Sequence, residues 1–155
     1  MLSLAEFLTT ERIVLLDHPG NRDAVIEAAA RLLADRSPNA VAEISTSLRQ
    51  RERMGSTAIG HGVAIPHGRS DAFADTRAAF LRLRPGVDFE ASDGEPVDLV
   101  FAMAVPEHFT QQHLQLLSEL AQRFGDAGFR SALREAPDAA ALRATLLAPS
   151  ALAST

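Results

Sequence analysis

The chain has 155 residues, is 46% hydrophobic and 23% charged, and sets 15 Lys and Arg against 20 Asp and Glu for a net charge of −5. That length suits one domain with a core that needs no covalent staples, and the lack of cysteine excludes disulfides, thiolate zinc sites and thiol catalysis. The longest basic run is the mixed RQRERM at 49–54, which argues against a nucleic-acid footprint.

No stretch approaches the roughly 18 apolar residues that span a bilayer, and MLSLAEFLTTER carries neither the positive start nor the cleavage site of a signal peptide. The expectation is a cytoplasmic protein without direct membrane insertion. In chain order, residues 3–8 suit a short helix and RIVLL (12–16) a brief strand. Asn21 caps a helix over 22–35, whose apolar positions Val25, Ala28, Ala29, Leu32 and Leu33 follow the helical period. Ser37-Pro38 restarts a helix, with Val41, Ile44, Leu48 and Met54 as its buried stripe until Gly55.

From Gly55 to Gly68 the chain is a glycine-rich loop with two short extended pieces, 58–59 and 63–65. RAAFLRL (77–83) reads as a strand, Pro85-Gly86 and SDG (92–94) as turns, and VDLVFAMAV (97–105) as a strand covered on both faces. Thr110 caps a helix over 111–124, and two more helices follow over 127–135 and 138–147, the second capped by Asp138. The tail from about residue 148 is expected to fray. The resulting expectation is one α/β domain over 1–155, with a central mixed β-sheet flanked by helices on both faces.

The chemistry-bearing stretch is GHGVAIPHG at 60–68. An imidazole titrates near 6.5, so at neutral pH much of it is an uncharged nucleophile, provided one nitrogen is exposed and the other is held. Pro66 stiffens the backbone before His67, and Gly68 removes the side chain that would crowd an incoming group. His67 can equally be a turn histidine at a strand end. His113 tops the apolar stripe formed with Leu116, Leu117 and Leu120, and so should face the sheet. Near a helix N-terminus it favours the neutral ring; it reads either as a hydrogen-bond donor to an anion or as a core histidine.

Arg51, just before the glycine loop, can clamp a phosphate or simply complement its helix dipole, the role given to Arg49 and Arg53. GSTAIGHG lacks the Lys-Ser/Thr pair of a P-loop, and no GxSxG occurs. Residues five apart on a helix, as His108 and His113 would be, lie about 140° apart around its axis, His108 moreover precedes the helix, and no carboxylate-rich loop accompanies the histidines, so no metal site is expected.

The segment RERMGSTAIGHGVAIPHG at 51–68 resembles the REKMGSTGIGNGIAIPHG-like segment of enzyme IIA domains of the fructose and mannitol type in the bacterial phosphoenolpyruvate phosphotransferase system. GEPVDLVFAMAVPEHFTQQHLQLLSELAQRF at 94–124 resembles that family's second block, and the likeness runs from about residue 20 to 147. The resemblance implies phosphorylation of His67 at Nε2 by a histidine-phosphocarrier protein, with His113 and Arg51 beside the phosphoryl group and Gly68 shaping the pocket. No cofactor or metal is implied.

The family usually carries asparagine where His61 stands, which places His61 at the pocket rim or in the asparagine's role. The MGST segment, the GEPVDLVFAMAVP block and the lack of a IIB-like or carrier-like segment point to the nitrogen-regulatory branch. Its members act on regulatory target proteins according to phosphorylation state. The alternatives are a sugar-specific IIA protein passing phosphate to a IIB domain and a non-catalytic anion- or metal-binding module. Phe73 and Phe109 are candidates for the carrier-docking face or for the core.

Overall fold

The computed structural model describes residues 4–35, 37–108 and 111–148. In chain order they form helix α1 (Leu4–Phe7), a 3-10 turn (Thr10–Arg12), strand β1 (Ile13–Asp17), and helices α2 (Arg22–Leu33) and α3 (Pro38–Met54). Strands β2 (Ala58–Gly60), β3 (Val63–Ala64), β4 (His67–Arg69), β5 (Arg77–Val87) and β6 (Val97–Val105) follow. Helices α4 (Gln111–Phe124), α5 (Ala127–Glu135) and α6 (Ala139–Leu147) complete the order.

The helix starts follow from capping chemistry. Oδ1 of Asn21 accepts from the Ala24 N–H at 2.9 Å and Oδ1 of Asp138 from that of Ala141 at 2.8 Å, satisfying donors that a first turn leaves open. Asp126 does the same for α5 through Phe129. Ser37 caps by backbone position alone, without a side-chain bond, and Pro38 supplies the helical φ. Thr110, Phe109 and the tail beyond residue 148 lie outside the described residues.

The buried residues of α3 are Ala40, Ile44, Leu48 and Glu52, a stripe with a step of four, and Ser45 beside it. Met54, expected in that stripe, is 83% exposed, because as the last residue of the helix, two after Glu52, it lies about 200° around the axis from that stripe. Two strand expectations also need correction. β5 does not turn at Pro85-Gly86 but continues to Val87, with a register shift between Arg82 and Val87 that lets pairing with β6 resume at Val87↔Val97. The glycine-rich loop contains β4, because His67–Arg69 find the open edge of β6.

The sheet order is β1-β5-β6-β3-β2, with β4 also on β6, beyond β3. β1 runs parallel to β5, β5 antiparallel to β6, and β3 and β4 both parallel to β6. The sheet is therefore mixed, and helices cover both faces. β6 has partners on each side and is buried at every position except half-buried Asp98, which explains its unbroken apolar sequence.

One face packs against α2 and α3 through residues such as Val25, Ile26, Leu33, Ile44 and Leu48. The other packs against α1 and α4 to α6 through Phe7, Leu116, Leu120, Phe124, Leu133 and Leu142. Phe124 anchors that second layer: it stacks on Phe80 at 6.5 Å and meets Phe101 edge-on at 6.2 Å and Phe129 at 5.2 Å. Polar ties close the ends. Asp35, at the end of α2, receives Arg12 at 3.1 Å and Arg77 at 2.6 Å, and Arg82 donates to the Leu133 and Ala136 carbonyls past α5.

Phe124 is 1% exposed. Phe124→Ala is expected to lower stability by about 3–5 kcal/mol through lost burial and the cavity left behind. The check is a fall in the urea midpoint at unchanged slope.

Candidate active site

β3 and β4 form one interrupted column along the edge of β6. Gly62 and Pro66 lend their carbonyls to Leu99 and Met103, at 3.0 and 2.9 Å. Between them the Ile65 N–H turns the other way and donates to the Thr57 carbonyl at 3.0 Å. The ladder with β2 ends there, so the Ile65 carbonyl meets no further strand. Nδ1 of His67 takes it, at 2.8 Å. A carbonyl only accepts, so Nδ1 carries the proton and Nε2 holds the lone pair. Nε2 has no hydrogen-bond partner among the described residues, and His67 is half-buried.

Side-chain alternation decides which face His67 occupies. Val63 and Ile65 belong to the α4-side core, and His67 follows them at the same period of two. It is also in register with Met103 of that core. His113 stands in the first turn of α4 over the same face and is 6% exposed. Its Nε2 lies 2.7 Å from Oγ1 of Thr76, the residue before β5. Ala78 and Phe80 carry the same period into that core, so Thr76 and His67 look toward the same layer. By strand spacing their backbones lie on the order of 12 Å apart across β6. Burial pushes the His113 pKa below its usual 6.5, and nearby His108 adds to the push.

Arg51 belongs to the other layer. It follows Ser47 by one turn on the same face of α3, and the Ser47 hydroxyl donates to the Arg69 carbonyl at 2.7 Å. Because α3 leads directly into Thr57, beside Ile65, that turn carries Arg51 about 6 Å back along the column toward Pro66. Its Nη1 donates to the Gly55 carbonyl at 2.8 Å. The structure thus brings His67 and His113 to one face and sets Arg51 on α3 beside the sheet edge, bonded to its own helix end.

Gly68 also looks toward α3. A Cβ there would run into the Ser47 hydroxyl and stand 3.1 Å from the Ser47 backbone. The glycine is required by the close approach of helix and strand, not by space for a group arriving at His67, which points the other way. His61 lies farther off. It sits in the β2–β3 turn, four or more residues up the column from His67, which puts at least about 13 Å between their backbones.

The turn has a left-handed backbone, with φ of 94° at Gly60, 58° at His61 and 79° at Gly62. Asparagine and histidine tolerate that conformation better than most residues, which accounts physically for either at position 61. The His61 N–H donates to Asp93 and its carbonyl accepts from Arg134, beside a cleft of about 600 Å³ with Glu95 and Asp98. These partners set the His61 backbone beside that cleft.

Phe73 is half-buried and carries the Arg77 guanidinium 3.3 Å from its ring centre. Among the described residues no three His, Asp or Glu side chains gather to hold a metal ion, and no helix is long and apolar enough to cross a membrane. Sequence reasoning passed over Thr76 and Ser47. Thr76 meets its partner 37 residues away, so no local pattern reveals it. Ser47 had one faint signal, a small residue on the helix that would have to lie against the glycine of PHG.

The family described as phosphoenolpyruvate-dependent sugar phosphotransferase system, EIIA 2, matches residues 6–148. A nitrogen regulatory protein of Pseudomonas aeruginosa is 41% identical over 92% of this chain and 93% of its own. A fructose-specific EIIA component of Haloferax volcanii is 34% identical over 81% of this chain and 82% of its own. Among solved structures, nitrogen regulatory protein IIA-Ntr from Neisseria meningitidis superposes with a TM-score of 0.85 at 40% identity, over 92% of this chain and 98% of that one. The mannitol IIA of Escherichia coli shares the fold, with a TM-score of 0.72 at 21% identity over 89% of this chain and 97% of that one.

Two outcomes follow from the packing. Gly68→Ala is expected to cost about 1–3 kcal/mol by overpacking, with part recovered by a companion Ser47→Ala; chemical denaturation measures both. The second concerns pH. The folded pKa of His113 lies below its unfolded value near 6.5, so below that pH the unfolded chain binds more protons. The stability that the neutral ring supplies is complete above about pH 6.5 and is lost as pH falls toward the folded value. Melting temperature should drop between pH about 7.5 and about 5.5 in the native protein, and less in His113→Asn.

Proposed function

Because the chain belongs to the EIIA 2 family of the phosphoenolpyruvate-dependent sugar phosphotransferase system, we propose that it carries a phosphoryl group on Nε2 of His67. The observation that carries this reading is the 2.8 Å bond from Nδ1 of His67 to the Ile65 carbonyl, which leaves the lone pair on the nitrogen that must attack. The donor is a histidine-phosphocarrier protein. Nε2 forms the new bond to phosphorus as the donor's N–P bond breaks in line and its electron pair returns to the donor ring. Positive charge that grows on the His67 ring strengthens the Nδ1–H bond to the carbonyl.

His113, kept neutral by burial, supplies polar stabilisation on the same face. Arg51 joins from α3 by exchanging the Gly55 carbonyl for a phosphoryl oxygen, since a charge-assisted bond to a dianion is stronger than one to a neutral carbonyl. Transfer between two imidazole nitrogens is near balanced, and neither a metal nor a cofactor enters this scheme.

The output we favour is regulatory, exerted in the cytoplasm on target proteins according to phosphorylation state, as the names of the nitrogen regulatory relatives suggest. Up to about two added negative charges suffice to alter partner affinity locally. The fructose-specific relative supports a second reading, onward transfer to a IIB domain. Phosphotransfer from the two kinds of carrier, compared with transfer to IIB domains, separates the two.

Incubation with a phosphorylated carrier should add one acid-labile phosphate by intact-mass measurement, and His67→Ala should abolish the gain. Labelling that survives this substitution would remove His67 from the role. An unchanged mass accompanied by retained metal would instead support a binding module.

A further inference from the structure

Glu52 is a buried carboxylate, 6% exposed, at the end of a helix stripe otherwise made of Ala40, Ile44 and Leu48. An apolar residue would be cheaper to bury there. Both of its oxygens go to one neighbour: Oε2 accepts the Thr57 N–H at 2.9 Å and Oε1 the Thr57 hydroxyl at 2.7 Å. Arg22 lies 3.9 Å away on the outer side. The helix end does not require this arrangement, since the Gly55 N–H already meets the Glu52 carbonyl and Arg51 the Gly55 carbonyl. The carboxylate instead fixes Thr57 at two points, its N–H and its hydroxyl, and what that residue does next is informative. Its carbonyl receives the Ile65 N–H, and the Ile65 carbonyl receives Nδ1 of His67. Thr57 and Ile65 are both buried, so water does not substitute freely for any link.

We propose that Glu52 and Thr57 are positioning residues for His67, a clamp that holds the Ile65 carbonyl where it keeps the ring proton on Nδ1. The proposal rests on the reading of His67 as phosphoryl acceptor. If the clamp loosens, the Ile65 carbonyl moves, the ring gains access to the tautomer protonated on Nε2, and the attacking lone pair is lost from a fraction of the molecules. The clamp therefore governs rate through a proton's location, not through contact with phosphate.

The test compares native protein, Thr57→Val, Thr57→Ser and Glu52→Ala, each used below its melting temperature. Nitrogen NMR of the His67 ring reports the tautomer without any phosphoryl donor, with His113 as internal control. Phosphoramidate, a small donor that needs no docking surface, then reports the rate of phosphorylation at Nε2. Thr57→Val is expected to show a mixed tautomer at His67, an unchanged His113, and phosphorylation slowed by the factor to which the Nδ1–H tautomer is depleted, about twofold where half of the rings have lost it. Thr57→Ser should restore both readouts, and Glu52→Ala should match Thr57→Val.

A folded Thr57→Val that keeps the Nδ1–H tautomer and the native rate overturns the proposal, whatever Glu52→Ala does. If native protein takes no phosphate from either a carrier or phosphoramidate, the phosphoryl-acceptor reading falls, while the tautomer comparison still decides the clamp.

Discussion

A carbonyl oxygen offers lone pairs and no proton, so the bond between Nδ1 of His67 and the Ile65 carbonyl settles which ring nitrogen is basic. That carbonyl is available only because the ladder between β2 and β3 stops at Thr57 while the column along β6 continues. A longer β2 would have absorbed the carbonyl into ordinary sheet pairing and left the imidazole free to rotate. Proline at 66 contributes in the same direction: it has no N–H to give, yet its carbonyl still ties the column to Met103. The short, broken strands of this edge thus leave a carbonyl free to hold the His67 ring.

The sheet separates the groups around His67 into two populations. On the α4 side lie the His67 ring, His113 and Thr76, and burial favours the neutral ring of His113. On the α3 side lie Ser47, Arg51 and the Glu52 clamp. A nucleophile needs its lone pair undisturbed before transfer and its product charge balanced afterwards. In the transfer we propose, His113 is the neutral neighbour on the attacking face and Arg51 the cation, released from Gly55 when a phosphoryl oxygen offers a stronger acceptor.

Much of this was legible along the chain. The run 97–105 ends at Pro106 and could only be an inner strand, while Asn21, Pro38 and Asp138 mark helix starts by local chemistry that tertiary structure did not override. β4 was not legible, since a Pro-His-Gly triplet has the composition of a loop and becomes a strand only through the waiting edge of β6. The continuation of β5 past Pro85-Gly86 has the same origin, as cross-strand pairing outweighs a turn-forming dipeptide. At the site, PHG and the stripe below His113 drew attention to the two histidines. Closeness in sequence between His61 and His67 conceals the extended backbone of β3 that lies between them. Thr76 was missed because its bond spans 37 residues.

The contact between Ser47 and Gly68 leaves room for almost nothing else. Over evolutionary time these two positions cannot wander independently: a lineage that enlarges one must first have shrunk or shifted the other. Helix and strand would then travel as a coupled pair, and any variant in which only one has changed should be rare among descendants that still fold.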